Sequence, residues 1–180
     1  ELVKERVMEL KKTFKSGVTK PMEWRLSALR ALRTVMVDNE TELFGALEAD
    51  LRKCAFDSWL TEYKNTLNEI DEAIHSLSSW MKPKRVNTNL FNLPGSSHIV
   101  SGPLGTVLVI SPWNYPFYLA VAPFVGALAA GNTVMIKPSE LAPNVSGWIA
   151  QTLGPAMSQY GVRVIEGGIP PTEALLKEQW

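Results

Sequence analysis

The chain has 180 residues, of which 46% are hydrophobic and 20% charged, and this balance excludes an intrinsically disordered protein. Its 18 lysines and arginines equal its 18 aspartates and glutamates, so no excess charge favours nucleic acid or an anionic membrane as a partner. The single cysteine excludes an intrachain disulfide and favours a reducing compartment, so we predict a cytoplasmic protein with a small-molecule or protein partner.

The first 83 residues are predicted to be helical. Apolar residues three and four apart indicate amphipathic helices over residues 2–14 and 21–37, and a third helix that begins near Asn39. A fourth helix has a heptad pattern, which is formed by Leu60, Tyr63, Leu67, Ile70, Ile74, Leu77 and Met81. The pattern is compatible with a coiled-coil dimer contact, and equally with a long helix that crosses its own domain. Cys54 is expected to be structural and not a nucleophile.

Two short strands are predicted in residues 84–101, with a turn at residues 94–96, because Val, Asn, Thr, Pro and Gly are frequent there. The sequence therefore divides into a helical region over residues 1–83, an arm over 84–102 and an α/β region over 103–180.

A strand, a helix and a second strand are predicted at the start of the α/β region. The apolar run 106–110 indicates a strand buried on both faces, and the run 133–136 indicates another. The helix between them covers residues 116–130 and ends at Gly131. Strands joined in this way lie parallel with a right-handed crossover, and ligands bind beyond their carboxyl ends. A further helix over 144–160 and a third parallel strand over 162–165 extend the sheet.

Polar and aromatic residues follow the first two of these strands, in the segments Ser111-Pro112-Trp113-Asn114 and Lys137-Pro138-Ser139-Glu140. The amide of Asn114 can donate hydrogen bonds to a negatively charged oxygen at any working pH, although a loop asparagine more often bonds its own backbone. Lys137 and Glu140 could bind a ligand or form a plain solvated ion pair. The first strand-to-helix turn lacks the GxGxxG pattern, so any pyrophosphate must be held elsewhere.

The runs GPLGTVLVISPWNYPF and GNTVMIKPSE strongly resemble the aldehyde dehydrogenase superfamily, and ALEADLRK and WMKP resemble its class 3 branch. The resemblance implies an α/β fold with N-terminal helices, a short β-hairpin arm for subunit pairing and the first three parallel strands of an incomplete Rossmann-like cofactor domain. It implies NAD or NADP as cofactor, an aldehyde as substrate and a homodimer. Independently of the resemblance, no metal site is expected, because His75 and His98 lack partners at metal-ligand spacing. The resemblance places Asn114 in the oxyanion hole and Lys137 and Glu140 on the adenosine ribose. Four residues would line the nicotinamide end: Ile110, Ser111, Pro112 and Trp113.

In the family's complete reaction a cysteine attacks the aldehyde, hydride passes to the nicotinamide, and a water activated by a glutamate releases the acid. That cysteine, that glutamate and the pyrophosphate turn would all lie beyond Trp180. The resemblance therefore implies the N-terminal part of an aldehyde dehydrogenase, inactive as this fragment, with membrane contact only through a tail beyond Trp180. The alternative is a truncated, non-catalytic assembly module that pairs with full-length subunits.

Overall fold

Helices precede strands in the computed structural model, which describes residues 1–180 and confirms the α/β class. The helices are α1 (Leu2–Lys15), α2 (Met22–Asp38), α3 (Glu40–Leu51), α4 (Ala55–Ser58), α5 (Lys64–Trp80), α6 (Tyr118–Ala130), α7 (Pro143–Trp148), α8 (Gly154–Met157) and α9 (Ile169–Leu176). The strands are β1 (Lys84–Val86), β2 (Ser97–Ile99), β3 (Thr106–Ile110), β4 (Thr133–Lys137) and β5 (Val162–Val164). None of the helices combines the length and hydropathy that a membrane span requires.

The strands β3, β4 and β5 form a parallel sheet in that order, as the sequence predicts. Ile110 at the end of β3 pairs with Lys137 at the end of β4, so both carboxyl ends reach the same edge. All five residues of β4 are buried, because it has a neighbour on each side. In β3 only Thr106 and Val109 are buried. The expectation that β3 is buried on both faces is therefore wrong, because β3 is an edge strand in this chain.

The helix α6 connects β3 to β4 and ends at Gly131, as predicted, where φ is +87°. A Cβ atom at Gly131 would lie 2.8 Å from the guanidinium carbon of Arg25, so the backbone angle and the close contact both require glycine. Arg25 is buried and donates hydrogen bonds to the carbonyls of Ala129 (3.1 Å) and Thr19 (3.3 Å). Its burial lowers the pKa of its guanidinium. This cation lies at the negative end of the α6 dipole and joins α6 to α2.

A π-helical turn, Trp59–Tyr63, joins α4 to α5. Of the heptad residues, Tyr63, Ile70 and Leu77 are buried. Leu60, however, is 46% exposed and does not share the buried face of these residues. The π turn adds a residue to one helical turn and thereby rotates the face that precedes it. The helix α5 packs on α2 and α6, which agrees with a helix that crosses its own domain.

The largest hydrophobic cluster continues from the N-terminal helices into the parallel sheet and the helices beside it. It contains 28 buried residues, among them Leu32, Leu47, Ile70, Phe124 and Ile136. A smaller cluster of five residues lies between α1, the sheet and α9. The proposed boundaries at residues 83 and 102 stay a prediction.

The arm contains an antiparallel pair of strands, in which Lys84 of β1 pairs with Ile99 of β2. A short 3₁₀ turn, Leu90–Asn92, lies between the strands. Most of the arm's apolar side chains are exposed, and Phe91 is the extreme case at 93%.

Asp50, near the end of α3, caps the distant helix α7. Its carboxylate accepts hydrogen bonds from the backbone N–H groups of Asn144 (3.1 Å) and Val145 (2.8 Å) and from the side-chain amide of Asn144 (2.7 Å). We expect Asp50→Ala to lower the free energy of unfolding by about 1–2 kcal/mol, the usual effect of removing an N-terminal cap. Urea denaturation measures this change. Asp38→Ala, at an exposed position at the end of α2, is the control and should shift it by less than about 0.5 kcal/mol. Equal shifts would contradict the capping role.

Candidate functional site

The loops after β3 and β4 begin side by side. The backbone N–H of Ser111 donates to the carbonyl of Lys137 at 3.1 Å, which extends the β3–β4 ladder by one residue. The segments 111–114 and 137–140 therefore lie at one edge of the sheet, as the sequence predicts for ligand-binding loops.

The loop after β3 presents both polar and apolar residues at this edge. Ser111 is buried, and its hydroxyl has no hydrogen-bond partner. Ile110, Pro112, Trp113 and Asn114 are all exposed. The Asn114 side chain makes no hydrogen bond within the chain, so no contact supports the alternative in which it stabilises its own turn. Its two N–H donors are free to bind a ligand.

The loop after β4 contains an asymmetric ion pair. Lys137 is only 3% exposed, and its Nζ donates to Oε2 of Glu140 at 2.5 Å, whereas the Glu140 side chain is 44% exposed. The pair is therefore not fully solvated. The hydrogen bond from Lys137, together with the backbone N–H of Glu140 itself, lowers the pKa of the Glu140 carboxyl. The carboxylate stays ionised to a lower pH than usual, so the stability that it contributes is present above the ordinary carboxyl pKa and lost only as the pH falls through the lowered value.

The end of β5 lies beside these loops, and the turn that follows it requires a glycine at one position. Gly167 has φ of +122°, and a Cβ atom there would lie 2.7 Å from Cγ of Pro171. Glu166 accepts a hydrogen bond from the hydroxyl of Ser146 at 2.7 Å, which ties this strand end to α7. Gly167 therefore has a structural role in this turn.

One charged residue beside the site was not among the predicted site residues. Glu62 is fully buried and accepts hydrogen bonds from the first backbone N–H groups of α6, directly after the Asn114 loop. The heptad pattern gives no signal for it, because regular helical spacing places Glu62 on the polar side. No pattern in the sequence indicates that Glu62 contacts Lys53 and the start of α6.

The remaining reactive side chains lie outside these loops. Cys54 is exposed just before α4, and His75 and His98 are exposed on α5 and β2. No three histidine, cysteine, aspartate or glutamate side chains lie close enough together to hold a metal ion.

The fold and these loops define a class of protein, an α/β protein with a Rossmann-like parallel sheet whose first turn carries an asparagine in place of a glycine-rich phosphate loop. The aldehyde dehydrogenase family matches residues 1–175, and the chain belongs to that family. Its curated relatives include members of family 3 at 37–45% identity, which confirms the predicted class 3 branch.

Two relatives and one solved structure show the extent of the likeness. The chain is 45% identical over 174 residues to aldehyde dehydrogenase family 3 member I1, chloroplastic, of Arabidopsis thaliana, covering 97% of this chain and 32% of that protein. It is 39% identical over 178 residues to the dimeric NADP-preferring aldehyde dehydrogenase of Canis lupus familiaris, covering 99% of this chain and 39% of that protein. The substrate-bound state of AldH from Staphylococcus aureus superimposes with a TM-score of 0.95 at 38% identity, covering 98% of this chain and 38% of that one. The chain thus spans well under half the length of these relatives.

Proposed function

We propose that the protein containing this chain is a cytoplasmic homodimeric enzyme that oxidises an aldehyde to a carboxylic acid with NAD or NADP. The observation that carries the proposal is the meeting of two loops at one sheet edge, one with the free amide of Asn114 and the other with the Lys137–Glu140 pair. Members of the family use nicotinamide cofactors, which agrees with this arrangement.

The residues at this edge fit a nicotinamide dinucleotide. Lys137 can donate to a ribose hydroxyl, and Glu140 can accept from one. The Ser111 hydroxyl is buried and has no partner in the chain, so it offers a further polar contact for the cofactor. Its neighbours in the sequence, Ile110, Pro112 and Trp113, would contact the nicotinamide end. When bound, the cofactor supplies the oxidant for the reaction. The Glu140 carboxylate would repel a 2′-phosphate, so use of NADP requires this exposed side chain to move aside.

Asn114 is the proposed oxyanion donor. As a nucleophile adds to the carbonyl carbon of the aldehyde, negative charge develops on the oxygen, and the neutral amide donates a hydrogen bond to it. The nucleophile lies outside this chain in our proposal, because the only cysteine, Cys54, lies outside both loops. The 180 residues alone are therefore not expected to oxidise aldehydes.

An open groove, lined in part by the residue that follows Asn114, suggests where the rest of the aldehyde lies. Its walls are mainly apolar and aromatic and include Leu60, Tyr115, Tyr118 and Leu119. Such walls favour an aldehyde with an apolar chain or ring.

Cofactor binding tests the proposed function. In the enzyme that contains this chain, Lys137→Met should weaken NAD binding about 10- to 100-fold, because a hydrogen bond from a charged group contributes about 1.5–3 kcal/mol. Glu140→Gln should weaken it less, since the amide oxygen still accepts. Isothermal titration measures both affinities, and Lys177→Met, at an exposed position near the end of the chain, is the control. Equal affinities of the Lys137→Met and Lys177→Met variants would contradict the proposal.

The arm is the proposed dimer contact. Its strand edges can accept further strands, and its apolar side chains Leu90, Phe91 and Ile99 are exposed in this chain. The canine relative is described as dimeric, which supports a second copy as the partner. We expect Phe91→Glu combined with Ile99→Glu to halve the molar mass in light scattering, because each carboxylate would be buried without a partner.

The control for the arm is Phe56→Glu, which places the same charge on an exposed phenylalanine of α4. It should leave the dimer intact. A dimer that survives both arm substitutions would show that the subunits pair elsewhere.

A further inference from the structure

Polar side chains are buried in the first half of the long helical segment, where an amphipathic helix normally buries apolar ones. Ser58, Glu62 and Thr66 are spaced four apart and are all fully buried, while the apolar Leu60 between them is 46% exposed. A buried carboxylate is costly unless charge and hydrogen bonds compensate it. The π turn that creates this arrangement is a feature often found at functional sites.

The compensation for Glu62 comes from the site itself. Its Oε2 accepts hydrogen bonds from the backbone N–H groups of Phe117 at 2.9 Å and Tyr118 at 3.0 Å. These N–H groups begin α6, where the helix dipole favours a negative charge. Its Oε1 accepts from Nζ of Lys53 at 2.5 Å. All of its partners therefore come from Lys53 and from the segment that directly follows Asn114.

Lys53 extends this network to the residue next to Asn114. Its Nζ lies 4.3 Å from the centre of the Tyr115 ring, within the range of a cation–π contact. The Lys53 side chain is mostly buried, so its charge is weakly screened. One ammonium group thus binds both the buried carboxylate and the aromatic ring beside the proposed oxyanion donor.

The Asn114 loop is held at both ends. At its start, the backbone of Ser111 is bonded to Lys137 of β4. At its end, Phe117 is bonded to Glu62, and its ring packs edge-on against Trp148 with centroids 5.4 Å apart. Asn114 itself makes no side-chain hydrogen bond, so its direction depends on these anchors.

We propose that Glu62 and Lys53 are positioning residues for aldehyde oxidation: together they fix residues 115–118 and thereby the direction of the Asn114 amide. This inference rests on the proposed role of Asn114. A small displacement of a donor is enough to reduce its effect on the transition state strongly, because catalysis depends on preorganised geometry.

A double-mutant cycle in the enzyme that contains this chain tests the proposal. Glu62→Gln keeps an oxygen that can accept from the two N–H groups, but it removes the charge that holds Lys53. With Asn114 present, kcat should fall about tenfold and the affinity for NAD should stay unchanged. In an Asn114→Ala background, Glu62→Gln should lower kcat no further, because the donor that it positions is already gone. Glu69→Gln, at an exposed position on α5, is the matched control.

Each outcome of the cycle is informative. A merely structural role would lower kcat by the same factor in both backgrounds, and that result would overturn the proposal while leaving the role of Asn114 intact. If Asn114→Ala alone leaves kcat unchanged, the proposed function itself fails. If Glu62→Gln does not fold, Lys53→Met gives the same test, because it leaves the Glu62 carboxylate bonded to the start of α6 and removes only the ammonium group. We again expect kcat to fall when Asn114 is present and not when Asn114 is replaced by alanine.

Discussion

Replacing Asn114 by alanine should lower kcat for aldehyde oxidation about 100- to 1,000-fold in the enzyme that contains this chain, the usual effect of removing one oxyanion donor. In our proposal, the amide binds the aldehyde oxygen most strongly once negative charge has developed there. Binding of the cofactor should change little, because Lys137 and Glu140 remain. Steady-state kinetics with a saturating cofactor and a varied aldehyde measure the effect.

Two further substitutions test whether the effect comes from the hydrogen-bond donor of Asn114. Asn114→Asp keeps the shape of the side chain but introduces a negative acceptor, so it should be at least as harmful as alanine. Asn68→Ala is the control, because it removes the same kind of amide at an exposed position on α5, outside both loops of the site. It should leave kcat within a factor of about two. A normal kcat for Asn114→Ala would exclude the proposed role.

Phe124→Ala should lower the free energy of unfolding by about 3–5 kcal/mol. Phe124 is fully buried on α6 and belongs to the cluster that joins the N-terminal helices to the parallel sheet. Its loss removes apolar contacts and leaves a cavity where α6 packs on α5, α2 and β4. Urea denaturation followed by circular dichroism measures the change.

The control is Phe56→Ala, because Phe56 is the same residue type at an exposed position and contacts Trp59 by stacking. It should cost less than about 1 kcal/mol. Similar effects of both substitutions would mean that α6 is not the centre of the core.

Local patterns predicted the central unit well. Apolar runs marked β3 and β4, and Gly131 marked the end of α6, because these signals depend only on neighbouring residues. The spacing of the two loops then followed from the parallel pairing of the strands. The assignment of roles to Asn114, Lys137 and Glu140 came from family resemblance and stays a prediction.

Contacts between distant segments could not be predicted from local patterns. The carboxylate of Asp50 caps a helix more than ninety residues away, and Glu62 caps another more than fifty residues away. The burial of Glu62 also depends on a π turn, which changes the periodicity on which helix prediction relies. The exposure of β3 likewise depends on which strands stand beside it.

A crystal structure of the enzyme that contains this chain, with NAD bound, tests the central claim most directly. We expect Nζ of Lys137 and the carboxylate of Glu140 within about 3.2 Å of the adenosine ribose hydroxyls, with the nicotinamide beside the Asn114 loop. A dinucleotide bound away from this edge, with Lys137 still bonded to Glu140 alone, would contradict the account.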